Sequence, residues 1–526
     1  MTMRVTGACL LAAALIASPS IGAAQAWQSD RGDGTFANPP LNADYPDPDI
    51  IRVGDVFYFI TSTFADVPGL TILTSRDLVN WRFASHVVDT LSGRPEYDLQ
   101  AGGSYRRGIF APSLRHHDGM FYVAVTPVGE PTRIYRARDV RGPWTMNRLS
   151  EAAFDPGLFF DDDGSAYIAT ASSSDGTETL LSLDPALRRI TARRVIHYIK
   201  GAEGSKLVRR GKYYYLFNAI PHRLGLTVSR ATALDGPWET RNQIDDTSGG
   251  HQGAIVDLAD GSDYGFVMID AGAVGRTTNI SPIHWHDGWP IWGTPEAPNR
   301  VPATARKPIQ GMPVETPAAS DDFAQTRLGL QWQWNHNPLP DRWSLTARPG
   351  FLRLNAAPGS SIWTARNTLL QKGQAPWSRA TVRLDASHVA RGDQCGAGVF
   401  GKYSGGIALG RDARGRLALS MRIIEDVAGP ARGTIQRIVR ESPAVTVRST
   451  QLTLRTEMDF GDDTGAVAYS TDGTTFTPLG PRFPLAFDWQ TGTFQGQQFS
   501  LFCYNPAGRG GYLDIDSVTL DGRGKR

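Results

Sequence analysis

Three acidic residues stand in motifs suited to holding a side chain still. In "NADYPDPDI" Pro46 and Pro48 flank Asp47, fix φ and remove two backbone donors, so the segment is a turn or the rim of a strand. Asp155 in "AAFDPGLFFDDDG" precedes an apolar strand, which points it inward, where a carboxyl is costly unless used. Glu203 opens "EGSKL". Taken singly, each stretch also reads as a surface turn or an exposed loop. Taken together, they are what cleavage of a glycosidic bond needs. One acid is protonated to assist the leaving oxygen, one is ionised to activate water or attack carbon, and a third raises its neighbour's pKa by like-charge repulsion. "GGHQG" sets His251 among glycines, either as a ligand contact or as a histidine bonded to a neighbouring strand. Phe64, Trp81 and Phe110 could give an apolar platform for a sugar face, although Trp81, closing "SRDLVNW", reads better as packing. Asp161, Asp162 and Asp163 read as a hairpin turn, and their spacing does not fit an EF-hand.

The elements that position these residues repeat. A turn with Gly, an aromatic-rich strand, often a second strand and a Trp recur as "VGDVFYFITSTF", "DGMFYVAVTP", "DGSAYIATAS", "RGKYYYLFNA" and "DGSDYGFVMI". Their marker tyrosines, 58, 122, 167, 215 and 264, lie 64, 45, 48 and 49 residues apart, the size of a four-stranded propeller blade. Residues 39–292 therefore read as a five-bladed β-propeller. Stepping back 11 to 13 residues from each marker reaches Asp47, Phe110, Asp155, Glu203 and His251. Because the first strand of every blade lines the central channel, residues at one phase should converge there.

The rest of the chain bounds the setting. Of 526 residues, 54 are Lys or Arg and 52 Asp or Glu, a formal charge of +2 that leaves no footprint for nucleic acid or an anionic membrane. Residues 1–26 read as a secretory signal: Arg4, an apolar core broken by Pro19, then Ala24 and Ala26 as an A-x-A cleavage site. The expected location is periplasmic or secreted. Cys9 precedes the apolar core, unlike a lipoprotein cysteine, and no later segment is long and apolar enough to span a membrane. Cys395 and Cys503 remain, either as a disulfide or as two buried thiols; no Cys/His set has zinc spacing. Prolines crowd residues 293–319, which reads as an extended surface linker. Beyond it, across 320–526, "RATVRLDAS", "LTLRTEMDF" and "GYLDIDSVTL" alternate at period two between turns, as in a β-sandwich. The fold class is all-β, a five-bladed propeller followed by a sandwich.

"YPDPDIIRVGDVFYFITSTF", "FDPGLFFDDDGSAYI", "AEGSKLVRRGKYYYLF", "GHQGAIV" and "GRTTNISPIHWHDGWPI" resemble, in order, the motifs of glycoside hydrolase family 43, in the branch of β-xylosidases and α-L-arabinofuranosidases. The resemblance covers nearly all the chain beyond the signal segment. It implies an inverting, exo-acting hydrolase that removes terminal xylose or L-arabinofuranose from xylan-derived saccharides. It implies Asp47 as general base, Glu203 as general acid and Asp155 as the aspartate that tunes and orients the acid. Arg276 in "VGRTTN" matches an arginine that binds the terminal sugar, and Phe64 and His251 match pocket positions. Phe110 in "GIFAPSL" stands where the family has Trp, and "EGSKL" replaces the commoner Glu-Gly-Pro. "DDFAQTRLGLQWQWNHNP" resembles the start of the family's concanavalin-like C-terminal domain, which implies a sandwich loop in the pocket wall. No cofactor or metal is required by this mechanism; the resemblance allows a structural calcium near His251 or in the sandwich. The Asn-Asp-Pro and Glu-Cys motifs of invertase-like propellers are absent, as is the G-x-S-x-G of serine hydrolases. The competing reading is a glycan-binding propeller and sandwich without catalysis, and the oligomeric state is open.

Overall fold

The computed structural model describes residues 27–100, 102–244, 251–429 and 435–522; the expected signal segment lies outside them. Five sheets of four or more strands form the propeller blades, each a simple meander. Their inner strands are Asp49–Val53, Ser113–His117, Gly157–Phe160, Glu203–Arg210 and His251–Asp257. The five marker tyrosines all fall on the second strand of a blade, for example Tyr58 within Val56–Ile60 and Tyr215 within Tyr213–Ile220. The repeat is thus the blade itself. Asp161 to Gly164 close the hairpin of the third blade, with the Gly164 amide donating to the Asp161 carbonyl at 2.9 Å. Trp81 is buried in its own blade, its ring edge-on to Phe59 and its Nε1 donating to the Leu78 carbonyl.

The proline-dense stretch does more than span. Thr304–Arg306 pairs with Thr35–Ala37, and Lys307 is buried between Asp30 and Asp77. A buried ammonium is tolerable only with such partners. The segment fastens the N-terminal arm to the propeller.

The sandwich packs two antiparallel sheets over an aliphatic core. Its inner sheet runs from Ile435–Glu441 through Gln394–Phe400 and Gln498–Asn505 to Gln333–Asn335, and ends on a strand contributed by the propeller, Asp66–Val67. Cys395 and Cys503 are register partners on adjacent strands of this sheet and form a disulfide. Trp334 lies opposite Val67, and Asn335 opposite Asp66, so the sheet passes from one unit into the other without an edge. One apolar cluster likewise runs from Ile60, Val67 and Tyr97 to Trp334, Leu369 and Leu501. Tyr105 reaches across from the propeller, with its ring 4.7 Å from Trp363 and 4.6 Å from His336, while the Ser104 amide donates to His336 Nε2 at 2.8 Å. With the sheet and core shared, heating should give one cooperative transition, not two. Tyr105→Ala should lower it, costing about 3 kcal/mol from the lost ring. Two separated transitions in calorimetry would contradict this coupling.

Candidate active site

The inner strands all start at one mouth of the channel, and the phased residues sit at those starts. Glu203 and His251 are the first residues of their strands, Asp47 and Asp155 lie two residues before theirs, and Phe110 three before. Backbone conformation turns the two aspartates inward: φ is 54° at Asp47 and 44° at Asp155. This left-handed region is disfavoured for most side chains and better tolerated by Asp, and such strain clusters at functional sites. Asp47, Phe110, Asp155, Glu203, His251 and Arg276 line one cavity of about 670 Å³.

Phe64 differs from expectation. It lies behind the lining with no exposed surface, its own φ at 51°, and its ring edge-on to Phe110 at 5.4 Å and against Phe494 at 5.1 Å. It therefore supports the wall and does not face the cavity.

The carboxyls differ in their surroundings. Ser62 Oγ donates to Asp47 Oδ2 at 2.6 Å and Arg276 Nη1 donates to Oδ1 at 3.3 Å, so both oxygens are oriented. Burial, then repulsion from Glu203 and Asp47, pushes the Asp155 carboxyl well above the ordinary aspartate range; Lys206 and a hydrogen bond from Gln252 act against this. Burial, reinforced by the Asp47 charge, raises Glu203 as well, against a hydrogen bond from Ser173 and the charges of His251 and Arg276. Two carboxyls of one cavity raised together favour the protonated form of one of them. Asp270 goes the other way. Although burial opposes it, the hydrogen bond and charge of His251 hold its carboxyl below the usual value, with His251 Nε2 at 3.3 Å from Oδ1. His251 Nδ1 has no hydrogen-bond partner among the described residues. The engaged Nε2 fits the strand-bonded reading of this histidine, and its place in the lining fits the ligand reading too. No group of three or more His, Cys, Asp or Glu among the described residues is placed to hold a metal ion.

Several lining residues carried no sequence expectation. Gln252 follows His251 in "GGHQG" with φ 54°, and Gly204, with φ 63°, makes room for it: a Cβ there would stand 2.7 Å from Gln252 Oε1. Ser205, where the family commonly has Pro, donates its hydroxyl to the buried Glu178 carboxyl at 3.0 Å, which Asn218 also serves; burial raises that carboxyl to about 7. Phe487, Trp489 and Phe494 come from the sandwich, on the segment 485–497. Arg276 is the meeting point. Its guanidinium lies 4.3 Å from the Phe494 ring, 5.3 Å from Phe64 and 5.9 Å from Phe487, and Nη2 donates to the Phe494 carbonyl at 3.4 Å. The aromatic density of "FDWQTGTF" was the available signal for this wall.

A five-bladed propeller whose channel mouth gathers three carboxyls, an arginine and an aromatic wall is the frame of a glycoside hydrolase. The family model for glycosyl hydrolases family 43 matches residues 36–290, and that for the β-xylosidase C-terminal concanavalin A-like domain matches residues 320–521. A β-xylosidase of Formosa agariphila is 30% identical over 563 residues, covering 94% of this chain and 91% of that protein. A non-reducing end α-L-arabinofuranosidase of Bacteroides ovatus is 32% identical over 353 residues, 61% of this chain and 65% of that protein. A solved family 43 structure, described as engineered in its active site to show both endo-xylanase and exo-arabinofuranosidase activity, superposes with a TM-score of 0.84. It is 27% identical and covers 93% of this chain and 100% of that one. The chain belongs to glycosyl hydrolases family 43. Because the Arg276 guanidinium rests on the Phe494 ring, Phe494→Ala should lower kcat/KM about tenfold or more through a misplaced arginine. Steady-state kinetics on a folded variant checks this, and an unchanged value would show that the sandwich wall is idle.

Proposed function

We propose that the chain is an exported, exo-acting, inverting hydrolase that releases terminal xylose or L-arabinofuranose from xylan- and arabinoxylan-derived saccharides. The observation that carries this is the convergence of Asp47, Asp155 and Glu203 in one cavity whose wall a second domain completes. A chain end fits a walled pocket, whereas mid-chain cleavage needs an open cleft. Relatives named for both activities support a pentose substrate. The disulfide fits an oxidising compartment, in line with the expected signal segment.

In this reading Asp47, held by Ser62 and Arg276, takes a proton from water as that water attacks the anomeric carbon. Glu203, whose carboxyl is raised by burial, gives its proton to the departing oxygen. Asp155, coupled to Glu203 by mutual repulsion, tunes and orients it. Arg276, His251 and Phe110 bind the terminal sugar, and Phe64 acts on it only through Arg276 and Phe110. Trp489 and Phe154, 64% and 42% exposed at the same cavity, offer apolar faces to the leaving portion of the chain.

Release of nitrophenol from β-xyloside and α-L-arabinofuranoside substrates tests the activity and ranks the pentoses; sugar binding without release from either would leave a lectin-like protein. The first-formed sugar, followed by proton NMR, should have inverted configuration, as for carboxyls about 6.5–9.5 Å apart. Asp47→Ala should stay slow even on substrates with very good leaving groups. Glu203→Ala should spare aryl glycosides with acidic phenols far more than natural oligosaccharides. Retained configuration would make Asp47 a nucleophile and overturn these roles.

Asp155→Asn removes a negative charge next to Glu203. The proton held for the leaving group is then lost at lower pH, so the basic limb of the kcat/KM profile should move down, with lower turnover at neutrality. An unmoved or raised basic limb would remove Asp155 from the tuning role.

A further inference from the structure

The segment "NADYPDPDI" holds three aspartates, and each is buried for a different reason. Asp47 faces the cavity. Asp49 accepts from the Leu114 amide at 2.9 Å and from Arg115 at 2.7 Å, joining the first two blades. Asp44 has no such place in the propeller core and does not line the cavity.

Asp44 is 1% exposed. Its Oδ1 accepts from the Arg276 amide at 2.8 Å, and the amide of Gly496, on the sandwich segment that carries Phe494, donates to the same carboxyl. The backbone approach around it is close. A Cβ on Gly275 would stand 2.2 Å from Asp44 Oδ1 and 2.7 Å from the Gly496 nitrogen, and a Cβ on Gly496 would stand 1.8 Å from the Val274 carbonyl. Neither position admits a side chain. The Gln497 amide donates to the Ala273 carbonyl at 3.0 Å, closing the same contact. Asp44 Oδ2 has no hydrogen-bond partner among the described residues; Lys372 Nζ of the sandwich, at 3.9 Å, is its counter-charge. A buried carboxylate is expensive, and hydrogen bonds to two orphan amides together with an opposite charge are what make it tenable.

We propose that Asp44 is a positioning residue of the sugar pocket, a clasp that joins the strand of Arg276 to the sandwich segment of Phe494 so that arginine and aromatic wall move as one piece. Asp44, Tyr45 and Asp47 then hold Arg276 at three points: Asp44 takes its amide, the Tyr45 amide donates to its carbonyl at 3.0 Å, and Asp47 takes its guanidinium. The inference rests on the cavity being the pocket proposed above.

The test uses the full chain and three variants, Asp44→Ala, Asp44→Asn with Lys372→Met, and Phe494→Ala, each assayed on both nitrophenyl glycosides. Asp44→Ala should keep a cooperative unfolding transition and raise KM about tenfold or more. The Asn/Met pair keeps a carbonyl for the two amides and removes the stranded ammonium, so its KM should lie within about twofold of the parent. The effects of Asp44→Ala and Phe494→Ala should be less than multiplicative, because both act through the same guanidinium. Parental KM and kcat in folded Asp44→Ala, or fully multiplicative effects, would reduce Asp44 to a structural residue and overturn the proposal. Should Asp44→Ala not fold, Asp44→Ser, which keeps a polar side chain but withdraws the carboxyl from the Arg276 amide, takes its place, and a parental KM there overturns the proposal equally. If the parent releases neither nitrophenol, the hydrolase reading fails by itself. Calorimetric Kd values for xylose and L-arabinose then decide the clasp: weaker binding by Asp44→Ala keeps it, and equal or absent binding overturns it.

Discussion

A guanidinium with little water around it has to be surrounded by groups that take the place of water, and in this molecule those groups come from both halves of the chain. Arg276 meets the Asp47 carboxylate and the Phe64 ring from the propeller, and the Phe487 and Phe494 rings from the sandwich. An arginine so placed is restrained, because the carboxylate and the rings come from different parts of the chain and each limits its movement. The pocket cannot be finished by the propeller alone. The shared sheet through Val67 and Trp334 and the insertion of Tyr105 fix the two units closely enough for that arginine to be set.

The second constraint is the crowding of acids. Asp47, Asp155, Glu203 and Asp270 share a cavity, and the buried ammonium of Lys206, 3.9 Å from Asp49, acts on Asp155 from outside the lining. Asp47 is paired with Arg276 and Asp270 with His251, so burial and repulsion fall on Asp155 and Glu203 and raise both carboxyls. The propeller supplies this without long-range design. Five equivalent strand starts face one another across a narrow channel, and whatever stands at them is forced together.

That geometry is why so much was legible in the sequence. The spacing of five tyrosines contained the blade length, and a constant offset from them contained the mouth of the channel, so Asp47, Phe110, Asp155, Glu203 and His251 could be grouped with no tertiary information. What the repeat did not contain was invisible for the same reason. Phe487, Trp489 and Phe494 lie outside the repeat and reach the cavity only through docking of the sandwich, which no local periodicity encodes. The pairing of Cys395 with Cys503 needed the register of two strands about a hundred residues apart in sequence. Phe64 was placed in the pocket by resemblance, but its ring packs behind the lining against Phe110 and Phe494, a tertiary placement that residue type does not reveal.

The division between the two kinds of information is also a division of labour. The acids stand at the starts of inner strands whose positions are set by five mutually packed blades. The wall stands on a segment between two sandwich strands, held at one end by the Gln497 amide on the Ala273 carbonyl and along its length by Gln495 on Asp66 and Lys402 on Asp488. Loops on a rigid scaffold are where specificity can change at small cost to the core. Here the arginine that touches both carboxylate and wall couples them, so a change in the sandwich segment reaches the reacting centre only as far as Arg276 moves. On the reading proposed above, the wall can vary while Asp155 stays set beside the buried Lys206–Asp49 pair.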